Sequence, residues 1–229
     1  MDPQKLVFLF DVDNTLLDND RVIADLMRHL ELEVGPDGQR RYRDLFEELR
    51  MQLGYADYLG ALQGYRMEYP RDFRILEISS FLVDYPFATR LYPDALDAVE
   101  RCQQLGQTAI VTDGDVVFQP LKIKRSGLLE TFGRKVLIYV HKEQELDDVA
   151  QRYPADHYIF IDDKLRILTA VKQAWGPRVT TVFPLQGHYA RDEKEVAKYP
   201  AADVTIERIG LLANCDLALL LEAATSHNT

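Results

Sequence analysis

Six short runs of consecutive apolar residues limit the folds open to this sequence: Leu6 to Phe10, Thr108 to Val111, Val136 to Val140, Tyr158 to Ile161, Val179 to Phe183 and Val204 to Ile206. A strand with one wet face alternates apolar and polar residues. A strand covered on both faces is apolar throughout, as in a parallel sheet flanked by helices. Helix-period stretches separate the runs, for example the one carrying Leu168, Val171 and Trp175 after Asp163. The pattern specifies an α/β fold with a doubly wound parallel sheet.

One interval breaks the rhythm. Between Leu17 and Leu91 no strand pattern occurs, while Val22 to Leu32, Tyr42 to Leu53, Tyr58 to Met67 and Phe73 to Val83 suit helices, with Gly35, Pro36, Gly54, Pro70 and Pro86 as breakers. A connection this long is seldom structureless, so residues 17–91 are expected to form an all-helical insert in a core made of residues 1–16 and 92–229. Pro93 opens a further helix that is expected to stop at Gly106. Ala224 to Thr229 are expected to form a frayed tail.

Composition narrows the function classes. An apolar fraction of 47% is that of a globular chain, and a net charge of -10 argues against binding nucleic-acid polymers. No apolar run approaches the roughly 18 residues that would cross a bilayer, and the amino terminus has no cleavable signal pattern, so a cytoplasmic protein without a membrane partner is expected. Cys102 and Cys215 sit in no ligand or redox motif and are expected to be small buried residues.

The first apolar run ends in Asp11-Val12-Asp13-Asn14-Thr15. Side chains alternate along an extended chain, so Asp11 and Asp13 point the same way with Cα atoms roughly 6 to 7 Å apart. Two acids at a strand end repel each other and lose solvation together. Magnesium, which binds one or two carboxylates together with substrate phosphate, would resolve the conflict. The fourth run ends in a second acid pair, Asp162-Asp163, where the same objection applies. After the second run, Asp113 and Gly114 offer backbone N–H groups where the chain turns, a natural anion nest.

DVDNTLL after LVFLF resembles the first motif of the haloacid dehalogenase (HAD) superfamily, most of whose members are phosphatases. The resemblance extends to AIVTDGD, to a lysine after the third run and to IFIDDKLRIL, and so covers nearly the whole chain. It implies that Asp11 is a covalent nucleophile. Asp13 is then the general acid and base, with its carbonyl on magnesium, and the Thr112 hydroxyl holds the phosphoryl group. The motif lysine is Lys142, with Lys122 as its competitor. Asp163 is a direct magnesium ligand beside Asp11 and Asp13, and Asp162 supports it from behind. Thr15, Thr112, Asp113, Gly114 and Lys142 are the expected substrate contacts. The helical insert matches the place of a C1 cap, and LYPDALDAVERCQQLG resembles the segment that joins cap to core.

The expected activity is magnesium-dependent hydrolysis of a small phosphomonoester through an aspartyl-phosphate. The alternatives are a phosphomutase, a dehalogenase of the same superfamily, or a non-catalytic binding protein that kept the fold. A dehalogenase needs no metal and typically lacks an acid at the second position, so Asp13 and Asp163 favour phosphate. Substrate identity and oligomeric state are not encoded in any motif. The tyrosines and arginines of the insert receive no role, and His188 with Tyr189 is expected either near the site rim or in a loop or partner contact.

Overall fold

In a computed structural model describing residues 5–226, the six runs form one parallel sheet in the order β3-β2-β1-β4-β5-β6. The strands are β1 Leu6–Phe10, β2 Gln107–Asp113, β3 Val136–Tyr139, β4 His157–Ile161, β5 Val179–Pro184 and β6 Val204–Ile206. Strand β1 lies at the centre and pairs with both β2 and β4. It is buried throughout. Leu6, Phe8 and Phe10 belong to one core, and Val7 and Leu9 to a second core on the opposite face. Continuous apolarity thus means two faces to cover, not one strong face.

The helices are α1 Asn19–Leu53, α2 Tyr58–Glu68, α3 Ile75–Asp84, α4 Ala95–Leu105, α5 Phe118–Arg125, α6 Leu128–Thr131, α7 Leu146–Arg152, α8 Leu165–Trp175, α9 Gly187–Arg191, α10 Glu193–Val196 and α11 Leu217–Ser226. Helix α8 buries Leu168, Val171 and Trp175 against the second core.

Helices α1, α2 and α3 lie between β1 and β2 in the chain. Both ends of this segment meet at one place. Leu17 forms an isolated antiparallel bridge with Leu91, Tyr92 N–H donates to Leu16 O, and Asp18 N–H donates to Arg90 O. The expected helices 22–32 and 42–53 instead run together as α1. Gly35 alone leaves helical geometry, at φ 78° and ψ 174°, and Pro36 restarts the helix at a first-turn position, where its missing N–H costs nothing. Helix α1 ends at Gly54, whose φ of 80° lies in the left-handed region, and a Cβ there would fall 2.3 Å from His141.

Helix α4 stops at Gly106 as expected, and two further expectations are corrected. Gly106 ends α4 with φ −174°, an extended conformation open to any residue; what requires glycine is the Leu6 carbonyl, 2.7 Å from where a Cβ would stand. Helix α11 continues through Ser226, so Ala224 does not begin a frayed tail; residues 227–229 lie outside the described residues. Cys102 is buried, but Cys215 is half-buried and the two thiols interact; that contact and burial push the Cys102 thiol well up, while Cys215 is lowered to about 7.

Candidate active site

Every acidic motif lies at the carboxyl end of the sheet, where open α/β sheets present ligands. Parallel pairing sets β1 between β2 and β4, bringing Asp11, Thr112 and the Asp162-Asp163 pair together from distant parts of the chain. Asp11, Asp162 and Asp163 are buried, and one carboxylate oxygen from each lies within 4.8 Å of the others.

Around Asp11, the Thr112 hydroxyl donates to Oδ1 at 3.1 Å and is itself held by Gln119 Nε2 at 3.2 Å. Lys142, from the turn after β3, places its ammonium 2.5 Å from Asp11 Oδ1 and 2.6 Å from Asp162 Oδ2. Burial pulls this ammonium's pKa down, but Asp11, Asp162 and Asp113 outweigh it and hold it well above the usual lysine range. Asp113 Oδ1 accepts the Lys142 backbone N–H at 2.7 Å, which fixes the turn that aims the lysine. Burial raises the Asp113 carboxyl above its ordinary value.

Asp13 stands apart from this cluster. Its side chain is 23% exposed and faces the cleft, and Lys122 holds both oxygens at 2.6 and 2.8 Å. Lys122 is fully buried and also donates to Asn19 Oδ1 of α1. The two lysines that compete in the sequence therefore have different partners: Lys142 meets Asp11, and Lys122 meets Asp13.

In the fourth motif, Asp162 is committed at both oxygens, to the Lys164 backbone N–H at 2.8 Å and to the Lys142 ammonium. Burial pushes its carboxyl up to about 6. Both oxygens of Asp163, and Oδ2 of Asp11, are buried without a hydrogen-bond partner. Burial, reinforced by Asp162 and Asp11, drives the Asp163 carboxyl well above its ordinary range. Buried carboxylate oxygens are normally satisfied. These orphaned oxygens are hard donors suited to magnesium, so the residues fit a divalent cation.

Two expected substrate contacts have their polar groups engaged within the protein. Thr15 is completely buried; its hydroxyl accepts the Asp163 N–H at 3.1 Å and its carbonyl accepts from Gln186. The Gly114 N–H is spent on Tyr139 O at 3.0 Å, so it does not serve the anion nest, and a Cβ there would stand 2.6 Å from Gln119. That close approach explains the glycine.

A cleft of about 170 Å³ opens over Asp13, between the sheet end and α1. Arg50, Tyr55 and Tyr58 line it from the insert, and Lys164, His188 and Tyr189 from the sheet side. Helical spacing alone reads as packing, so Arg50, Tyr55 and Tyr58 had no expected role; His188 and Tyr189, left open between the site rim and a loop or partner contact, lie at the rim, and Lys164 was not singled out. The signals were a lysine directly after the acid pair and the Gly187-His188-Tyr189 turn.

A family model for haloacid dehalogenase-like hydrolases matches residues 6–174. The chain belongs to this family. A haloacid dehalogenase-like hydrolase from Burkholderia xenovorans LB400 has a crystal structure with 61% sequence identity and a TM-score of 0.89, over 93% of this chain and 100% of that one. The magnesium-bound HAD hydrolase YfnB of Bacillus subtilis is 18% identical with a TM-score of 0.61, over 92% and 98% of the two chains. The L-2-haloacid dehalogenase of Xanthobacter autotrophicus is 15% identical with a TM-score of 0.57, over 91% and 96%. At such identities these two share the HAD fold. No curated protein matches the chain. This HAD-family hydrolase has no helix, among the described residues, long and apolar enough to cross a membrane.

Proposed function

We infer that this hydrolase is a phosphatase that hydrolyses a small phosphomonoester through an aspartyl-phosphate on Asp11. The observation that carries the reading is Asp13, a second acid two residues on that faces the cleft instead of joining the buried cluster. Carbon–halogen hydrolysis has no leaving alkoxide to protonate and no use for an acid so placed.

Asp11 attacks phosphorus through the carboxylate that Thr112 and Lys142 orient. The Thr112 hydroxyl and the Lys142 ammonium then balance charge on the transferring oxygens. Protonated Asp13 gives its proton to the leaving oxygen. As a carboxylate paired with Lys122, it then takes a proton from the water that hydrolyses the aspartyl-phosphate, which restores Asp11 and releases phosphate. Asp11 and Asp163 through carboxylate oxygens, and Asp13 through its carbonyl, would hold magnesium, with Asp162 behind them. Bound there, magnesium supplies positive charge to the developing oxyanions and cancels repulsion among the acids. Thr15 is reassigned from substrate contact to positioning residue, since its hydroxyl fixes the Asp163 backbone.

Residues 17–91 act as the cap. Their entry and exit through the Leu17–Leu91 bridge, and the contacts of α1 over the cleft, support this role. Closure would exclude bulk water, and opening would release product.

The test measures phosphate released from para-nitrophenyl phosphate and chloride released from 2-chloropropionate, each with magnesium or with EDTA. Phosphate release that needs magnesium and is lost in Asp11→Asn is expected. Equal phosphate release by the two proteins, or metal-independent chloride release, would overturn the reading.

A further inference from the structure

The charged groups lining the cleft are largely spoken for. Asp13 is paired with Lys122, His188 Nδ1 meets Asp20 at 2.6 Å, and Arg50 spends Nε and Nη2 on Glu47 at 2.9 and 2.7 Å. Lys164 differs. Among the described residues no carboxylate oxygen lies within 4.0 Å of its ammonium, which stands 5.2 Å from the centroid of the Tyr189 ring.

Asp11, Asp113, Asp162 and Asp163 stand against Lys142, Lys164 and a divalent cation, and of the two lysines Lys164 is the one that no carboxylate oxygen holds directly. Its cleft is lined from both the sheet end and the insert. Tyr189, the ring beneath the ammonium, accepts a hydrogen bond at 2.8 Å from Arg50 Nη1 on α1. Lys164, Tyr189 and Gly54 also line both the main cleft and a neighbouring cavity of about 160 Å³. A group extending from a phosphoryl on Asp11 toward the insert would meet this ammonium.

We propose that Lys164 is a specificity residue that recognises a carboxylate on the leaving portion of the phosphomonoester, so that phosphorylated organic acids are the preferred substrate class. This rests on the phosphatase reading. The anionic group gains a charge-assisted hydrogen bond, and a neutral isostere of the same shape does not.

The test uses matched pairs in the presence of magnesium chloride. Binding of 4-carboxybenzylphosphonate and 4-carbamoylbenzylphosphonate is measured by calorimetry, and phosphate release is measured from 4-carboxyphenyl and 4-carbamoylphenyl phosphate. The wild type is expected to favour the carboxylate in each pair by about tenfold, one charged hydrogen bond's worth. That ratio falls to about one in Lys164→Gln, and Lys164→Arg, which keeps the charge, retains most of it; thermal melts of both variants establish that they are folded. A ratio near one in the wild type, a ratio that survives Lys164→Gln, or an equal loss for both ligands overturns the proposal. Should Lys164→Gln fail to fold, the wild-type and Lys164→Arg ratios decide. A binding ratio without phosphate release from either ester would sink the phosphatase reading while leaving carboxylate recognition standing. Release from both esters without a ratio would sink the recognition alone.

Discussion

The Lys122 ammonium bonds both carboxylate oxygens of Asp13, at 2.6 and 2.8 Å, from 109 residues away in the chain. It lies fully buried, 5.6 Å from the centroid of the Phe118 ring and 5.8 Å from that of Tyr58. A buried ammonium survives only with partners that repay its desolvation, and Asp13 and Asn19 are those partners.

Lys122→Met keeps the stem and removes the charge, which leaves Asp13 unpaired. Since Asp13 is partly solvated, the stability loss is expected at about 1 to 3 kcal/mol, below the range for fully buried pairs. Phosphate release should fall about tenfold or more as the acid and base loses its anchor. Urea unfolding and steady-state kinetics measure the two effects separately.

Asp163→Asn should move stability in opposite directions with and without metal. In EDTA the variant is expected to be more stable than the wild type, because one orphaned buried carboxylate no longer repels Asp162 and Asp11. Magnesium at a hundredfold excess over its dissociation constant would stabilise the wild type by about 2.7 kcal/mol and the variant far less. Thermal melts in the two conditions check the crossover.

Gly187 has φ 70°, and a Cβ on it would stand 2.5 Å from Asn14 Cβ. Asn14 is itself left-handed at φ 59°, and its side chain both donates to and accepts from Asp20. Gly187→Ala should therefore cost about 1 to 3 kcal/mol and displace the turn that carries His188 and Tyr189. A lowered urea midpoint together with a raised KM would show both consequences.

His157 bears on stability at acid pH. Its ring is buried, with Nε2 2.9 Å from Thr180 Oγ1, and burial followed by repulsion from Lys172 lowers its pKa below 6.5. Between the folded value and 6.5 the unfolded chain binds more protons, so stability rises with pH across that window. The contribution is complete above 6.5 and is lost as the pH falls through the folded value. Urea midpoints from pH 7.5 to 5.0 should decline less steeply for His157→Gln than for the wild type.

What the sequence disclosed follows from which forces are local. The inner strands were legible because burial on two faces writes itself into consecutive residues, as Leu6 to Phe10 shows, whereas the edge strands β3 and β6 are only partly buried and were marked by apolar composition alone. Asp11, Thr112 and Asp163 were legible because strand ends recur in a fixed order along the chain. The meeting of Lys142 with Asp11, 131 residues away, was reached only through the resemblance, and the bond from Lys122 to Asp13 was not anticipated, since nothing near either lysine encodes it. Gly114 misled for a related reason: the same residue that frees a backbone N–H can be demanded by a neighbour, here Gln119. Lys164 escaped notice and Arg50 was given no role because a cation's role depends on whether an acid answers it, and that is settled only when distant elements meet.

The strict alternation of β1 between two cores has a consequence for inheritance. Moving this strand by one residue would exchange Phe8 and Phe10 for Val7 and Leu9 in cavities shaped for the other set, and would swing the following carboxylate to the wrong side. Single-residue insertions or deletions within Leu6 to Phe10 should therefore be absent from working descendants of this gene, while conservative apolar exchanges there persist. The address of the nucleophile is kept by oil, not by charge.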